Sequence, residues 1–187
     1  MGNATTFLVE AIFGLYLLII MLRLLLQWSR ASFYNPVSQF IVKATQPVLK
    51  PLRRYIPGFG GIDLAAVLLL VVVQLVELFV ITRIIDVPVG FAALLVLTVA
   101  RLIELLINIF FFAILIRVIL SFLNPGAHNP IAELVDSLTE PLLGPARRLI
   151  PPMGGFDLSP IPVMLALQLA KILIVAPIND LARTVGG

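Results

Sequence analysis

Cysteine is absent from this chain, which excludes disulfides, thiol redox chemistry and cysteine-bound metals or haem by the chain itself. Histidine occurs once, as His128, and a lone histidine at a membrane interface reads as a polar tip at headgroup level. Nothing supplies a nucleophile–base pair, a metal-ligand spacing, a Walker loop or a dinucleotide fingerprint. The chain is therefore expected not to be an enzyme and to need no cofactor. No long basic run with interleaved aromatics suits nucleic acid, so nucleic acid is not an expected partner. Charge is scarce as well, at 12% of 187 residues.

What is present is apolar. Hydrophobic residues make up 60% of the chain and mean hydropathy is +1.11, so much of the surface must face lipid. Four stretches suit membrane-spanning helices of about 20 residues: 7–28, 62–81, 101–122 and 156–175. The first is too long, and too poor in basic flanks, for a cleaved signal peptide, because no Lys or Arg precedes Arg23. An N-terminal myristoylation pattern and a sequon at Asn3 are short enough to arise by chance and are discounted.

The chain also repeats itself. Arg23, Asn35-Pro36, Thr45, Pro47, Pro51, Arg53-Arg54, Ile56-Pro57, Gly60-Gly61 and Asp63 recur at a constant offset of 94 as Arg117, Asn129-Pro130, Thr139, Pro141, Pro145, Arg147-Arg148, Ile150-Pro151, Gly154-Gly155 and Asp157. Over residues 23–64 and 117–158, 16 of 42 positions are identical. The chain thus divides into a first repeat over 1–86, an apolar connector over 87–100 and a second repeat over 101–187. Each repeat carries two spans joined by a hairpin, 29–61 and 124–155.

Within each hairpin, Asn35 and Asn129 are placed to cap helices whose first residues are Pro36 and Pro130. Apolar residues at helical spacing then give each helix one greasy face, suited to the bilayer interface or to the spans. Pro47 and Pro141 are expected to end these helices. The hairpins carry seven basic residues (Arg30, Lys43, Lys50, Arg53, Arg54, Arg147, Arg148), against Arg83, Arg183 and at most Arg101 on the opposite side of the membrane. That imbalance places both hairpins in the cytoplasm and both termini outside. An even number of spans per repeat makes the two repeats parallel, related by an axis along the membrane normal. Residues 87–100 are too short for a full span and read as a helix extension or a re-entrant turn.

The order span, Asn-Pro, Thr-x-Pro, Pro-x-Arg-Arg-x-Ile-Pro, Gly-Gly-x-Asp, span, given twice, resembles the YggT family of bacterial membrane proteins and its chloroplast and cyanobacterial relatives. The resemblance implies an all-α inner-membrane protein, with roles in osmotic or ionic stress, potassium uptake, cell division or cytochrome assembly. It carries no catalytic residues.

Two groups of residues stand out as candidates. Arg53, Arg54, Gly60 and Gly61, with Arg147, Arg148, Gly154 and Gly155, suit an anionic lipid headgroup or a protein partner. The competing reading is that the arginines enforce topology, the glycines make a turn, and Asp63 and Asp157 cap the next helices. Intramembrane polar residues are expected to pair: Arg23 with Asp63, Arg117 with Asp157, and Glu77 with Lys171, with Gln74 and Gln168 bonding beside them. Glu10 and Glu104 are the other candidate partners of Lys171. The partners expected are the lipid bilayer, an unknown membrane or cytoplasmic protein, and a second copy of the chain. These features favour an assembly or scaffold protein over an ion pathway.

Overall fold

The computed structural model describes residues 2–123, 129–150 and 157–186. The sequence-predicted Gly154 and Gly155, His128 and the start of the fourth span lie outside them. Every named element among the described residues is helical: α1 (Gly2–Trp28), α2 (Pro36–Tyr55), α3 (Leu64–Ile84), α4 (Phe91–Leu123), α5 (Pro130–Leu149), α6 (Pro160–Ala170), a π-helical turn (Lys171–Val175) and α7 (Ala176–Gly186). Among the described residues four helices are long and apolar enough to cross a membrane: α1, α3, α4 and the continuous run Pro160–Gly186. The second repeat therefore follows the first in kind, two spans around a hairpin helix, as the internal repeat requires.

Both hairpin helices lie at the same end of the bundle. The Asn35 amide donates to the Pro130 carbonyl at 2.7 Å, so the starts of α2 and α5 touch and the repeats run parallel. Asn35 and Asn129 cap these helices as expected, accepting from the backbone N–H of Val37 and Ile131 at 3.0 and 2.9 Å.

The prolines do not end the hairpin helices, contrary to expectation. α2 continues through Pro47 and Pro51 to Tyr55, and α5 through Pro141 and Pro145 to Leu149. Spaced by four, the two prolines fall on one exposed face. The carbonyls they release, those of Lys43 and Pro47 in the first copy, point to an arc where water or headgroups can satisfy them. The opposite face is fixed by burial: Ile41, Thr45 and Leu49 in α2, and Leu138, Thr139 and Leu143 in α5.

The apolar connector proves to be a helix extension. Residues 87–90 lead into α4, whose 33 residues span about 50 Å at ~1.5 Å per residue, well beyond a hydrocarbon layer of ~30 Å. The fourth span is longer than expected too, running to Gly186 through the π turn. Its far part packs on the start of α4: Ala182 is buried, and a Cβ added at Gly186 would lie 3.0 Å from that of Ala93. In mid-bundle, Leu17, Ile20 and Met21 of α1 pack with Leu69 and Leu70 of α3 and Ile109, Phe110 and Ala113 of α4 in one apolar cluster.

Candidate functional site

Each hairpin is fastened to its spans by two arginines. In the first repeat Arg23, near the end of α1, donates to the Thr45 hydroxyl, to the Val42 carbonyl at 3.2 Å and to Gln46 Oε1 at 3.0 Å. Thr45 is fully buried, and its hydroxyl donates a hydrogen bond to the Ile41 carbonyl at 2.7 Å. The second repeat keeps this arrangement. Arg117 donates to Thr139 at 2.8 Å, and Thr139 to the Val135 carbonyl at 2.7 Å. The two threonines anchor the hairpin helices, a role the repeat pattern did not assign although their recurrence at the 94-residue offset was the available signal.

The second fastening joins the end of each hairpin helix to the following span. Arg53 grips Asp63 through Nε and Nη2, and Asp63 caps α3 by accepting from the Ala66 N–H at 3.3 Å. Arg147 holds Asp157 at 2.8 Å, and Asp157 accepts from the Ser159 N–H at 2.9 Å. Partial burial opposes the Asp157 charge, but the Ser159 and Arg147 hydrogen bonds and the Arg147 charge outweigh it and hold that carboxyl below the usual range. Burial likewise works against Arg147, yet Asp157 and Glu140 raise its pKa above the ordinary value.

The expected pairs Arg23–Asp63 and Arg117–Asp157 are thus replaced by Arg53–Asp63 and Arg147–Asp157. Asp63 and Asp157 lie ten residues after Arg53 and Arg147, and in the first copy a tight turn brings the chain back onto the arginine. That turn is Phe59–Ile62, closed by paired backbone bonds of 3.1 and 3.0 Å. Gly60 and Gly61 sit at φ 61° and 84°, the left-handed values a two-residue hairpin turn needs and that L side chains disfavour. Arg54 and Arg148 are left exposed.

A separate polar group sits at the end away from the hairpins. Glu10, Gln74, Glu77, Arg101, Glu104 and Asn108 line a cavity of about 300 Å³. Lys171 meets Glu104 at 2.9 Å and Asn108 at 3.2 Å, so the expected Glu77–Lys171 pair is not formed. Glu77 instead accepts from Gln74 of its own helix at 2.6 Å, both being buried; Gln168 is half-buried on α6 and does not join Gln74. Among the described residues no three His, Cys, Asp or Glu side chains come together to hold a metal.

The two hairpin helices differ in charge. Five equivalent positions each make the second copy one unit more negative: Gln39 becomes Glu133, Val42 Asp136, Lys43 Ser137, Gln46 Glu140 and Lys50 Gly144. α2 therefore carries Lys43, Lys50, Arg53 and Arg54 with no acid, whereas α5 carries three carboxylates against two arginines.

Residues 2–84 and 96–178 each match the CCB3/YggT family. The chain belongs to that family. It is 48% identical to a protein of Pseudomonas aeruginosa, covering 100% of this chain and 94% of the relative. It is also 45% identical to a Vibrio alginolyticus protein encoded in the proC 3′ region (94% and 97% covered) and 39% identical to YggT of Escherichia coli strain K12 (91% and 88% covered). No solved structure matches it. The family's two matched segments leave out residues 85–95, which contain the start of the α4 extension.

Proposed function

We propose that this chain is a non-catalytic scaffold or assembly factor of the bacterial inner membrane, linked to osmotic or ionic stress adaptation or to cell division. It acts through its hairpin layer at the cytoplasmic face, where α2 contacts anionic lipid and the layer presents itself to a membrane or cytoplasmic protein. The observation that carries this reading is the apolar cluster around Leu17, Ile20, Leu70 and Phe110. It lies between the polar cavity at one end and the arginines at the other, and so favours a locked bundle over a continuous wet path.

On α2 the turn of ~100° per residue separates three arcs. Ile41, Thr45 and Leu49 are buried, Lys43, Lys50 and Arg54 form a basic stripe, and Phe40, Val48 and Tyr55 are exposed and apolar. An exposed apolar arc beside a basic one is the pattern of a helix lying on an anionic bilayer surface. Arg53 and Arg147, engaged with Asp63 and Asp157, contribute chiefly to fastening, which leaves Arg54 and Arg148 for lipid or partner.

A second reading, potassium transport or channel support by an oligomer, is favoured by one feature. Cavities of about 300 and 670 Å³ both border Arg101 and Glu104. Reconstitution into vesicles with a potassium-sensitive dye decides between them. The scaffold reading expects no flux above empty vesicles and co-purification of a defined protein in native lipid; potassium flux abolished by Glu77→Gln would establish transport instead.

A further inference from the structure

Arg23 and Arg117 occupy the same place in the two repeats but are neutralised differently. Arg117 meets Asp136 at 2.8 Å and Glu140 at 3.2 Å. Arg23, only 7% exposed, meets neutral acceptors alone: Thr45, Gln46 and the Val42 carbonyl. No carboxylate lies within ion-pair distance of it among the described residues. The sequence gives the cause, since Val42 and Gln46 stand where the second copy has Asp136 and Glu140. A buried guanidinium with no carboxylate in contact is expensive, and three bonds leave N–H donors of its five unused.

Beside Arg23 is a cavity of about 560 Å³, lined also by Gln27, Val42, Arg53, Gly61 and Asp63. Asp63 is already engaged by Arg53, so the cavity keeps an excess positive charge. It shares Gly61 and Ile62 with an apolar groove of about 420 Å³ that runs past Trp28, Leu25 and Phe110 along the spans. Charge, donors and a neighbouring apolar channel occur together here.

We infer that the first repeat's cavity binds a phosphate group, whose charge takes the place of the two carboxylates that the second repeat supplies from its own chain. The groove accommodates an acyl chain, which makes a phospholipid headgroup one source and free inorganic phosphate the other. Only the lipid source rests on the bilayer-contact reading above; the cavity itself does not.

The test imports the missing carboxylates. Val42→Asp/Gln46→Glu reproduces the second repeat's solution in the first, so in detergent without lipid it should melt no lower than wild type. Lower melting would overturn the claim that Arg23 lacks a counter-charge. Wild type and variant are then titrated with phosphatidylglycerol, phosphatidylcholine or inorganic phosphate, followed by melting temperature and by phosphorus content after purification. Phosphatidylglycerol is expected to stabilise wild type, with affinity falling roughly tenfold or more in the variant as a charge-assisted bond is lost. Stabilisation by inorganic phosphate as well assigns the site to free phosphate; response to neither overturns the proposal. A Lys43→Gln/Lys50→Gln/Arg54→Gln variant separates the two readings. If it alone loses the phosphatidylglycerol response, the cavity site is wrong and the surface contact stands. If only the carboxylate variant loses the response, the cavity stands and the surface contact is wrong.

Discussion

Lys171 forms its ion pair with Glu104, at 2.9 Å, from the first residue of a π-helical turn. The equivalent position in the first repeat, Glu77, turns to Gln74 within its own helix. Two residues at the same repeat position with opposite charge therefore do not meet across the repeat axis. The widened turn, an uncommon feature that often marks functional positions, lies where α6 passes into α7, and Val175 within it is buried against Ala100 and Ile107.

The first prediction follows from that pair. Glu104→Gln or Lys171→Met each strands a half-buried charge without its partner, so each should lower the melting temperature in detergent, while the double variant recovers part of the loss. Glu77→Gln should show no such coupling with Lys171→Met. A double-mutant cycle on purified protein measures both, and coupling between Glu77 and Lys171 would contradict the geometry.

Orientation is tested by single cysteines, which this cysteine-free chain permits. Ser38 is buried and would be shielded whatever the topology, so exposed Gln39 and its equivalent Glu133 are the positions to use. In intact cells Gln39→Cys and Glu133→Cys should resist an impermeant thiol reagent, whereas Thr184→Cys, exposed at the far end, should label. Labelling of one hairpin but not the other would contradict parallel repeats.

The first-copy turn should tolerate no side chain with a Cβ at its tip. Gly60→Ala and Gly61→Ala each force a left-handed residue at a cost of about 1–2 kcal/mol, and should loosen the Arg53–Asp63 fastening. Asp63→Ala adds loss of the α3 cap, about 1 kcal/mol by itself. Thermal unfolding in one detergent ranks the three; an Asp63→Ala variant as stable as wild type would remove the fastening role.

The Arg147–Asp157 fastening also has a pH signature. Because the folded Asp157 pKa lies below its unfolded value, its contribution is fully present above the ordinary aspartate range, near pH ~4. It is lost as pH falls through the lower folded value. The raised Arg147 pKa has the opposite sign and is lost only at strongly alkaline pH. Melting curves between pH ~7 and ~3 should thus show a late acid loss that Asp157→Asn largely removes.

How far the sequence could be read is clearest at particular residues. Asn35 and Asn129 were legible as caps because a cap depends on the next few backbone atoms. The prolines misled because their effect depends on what lies outside the helix: Pro47 and Pro51 break no helix where the carbonyls they free face an exposed arc. Arg53 and Arg147 could have been matched to Asp63 and Asp157 from their common ten-residue spacing in the two repeats.

The sequence by itself determined the membrane class, the four spans, the two-fold repetition and the capped hairpin helices, since these follow from hydropathy, periodicity and local backbone chemistry. Only the tertiary structure decided which charges meet and which remain without a counter-charge. Pairing across helices depends on their relative rotation and height, and these are set by packing over the whole bundle, including the α4 extension and the π turn that have no counterpart in the first repeat. The unmatched guanidinium of Arg23 is visible only once Arg117 is seen resting on Asp136 and Glu140.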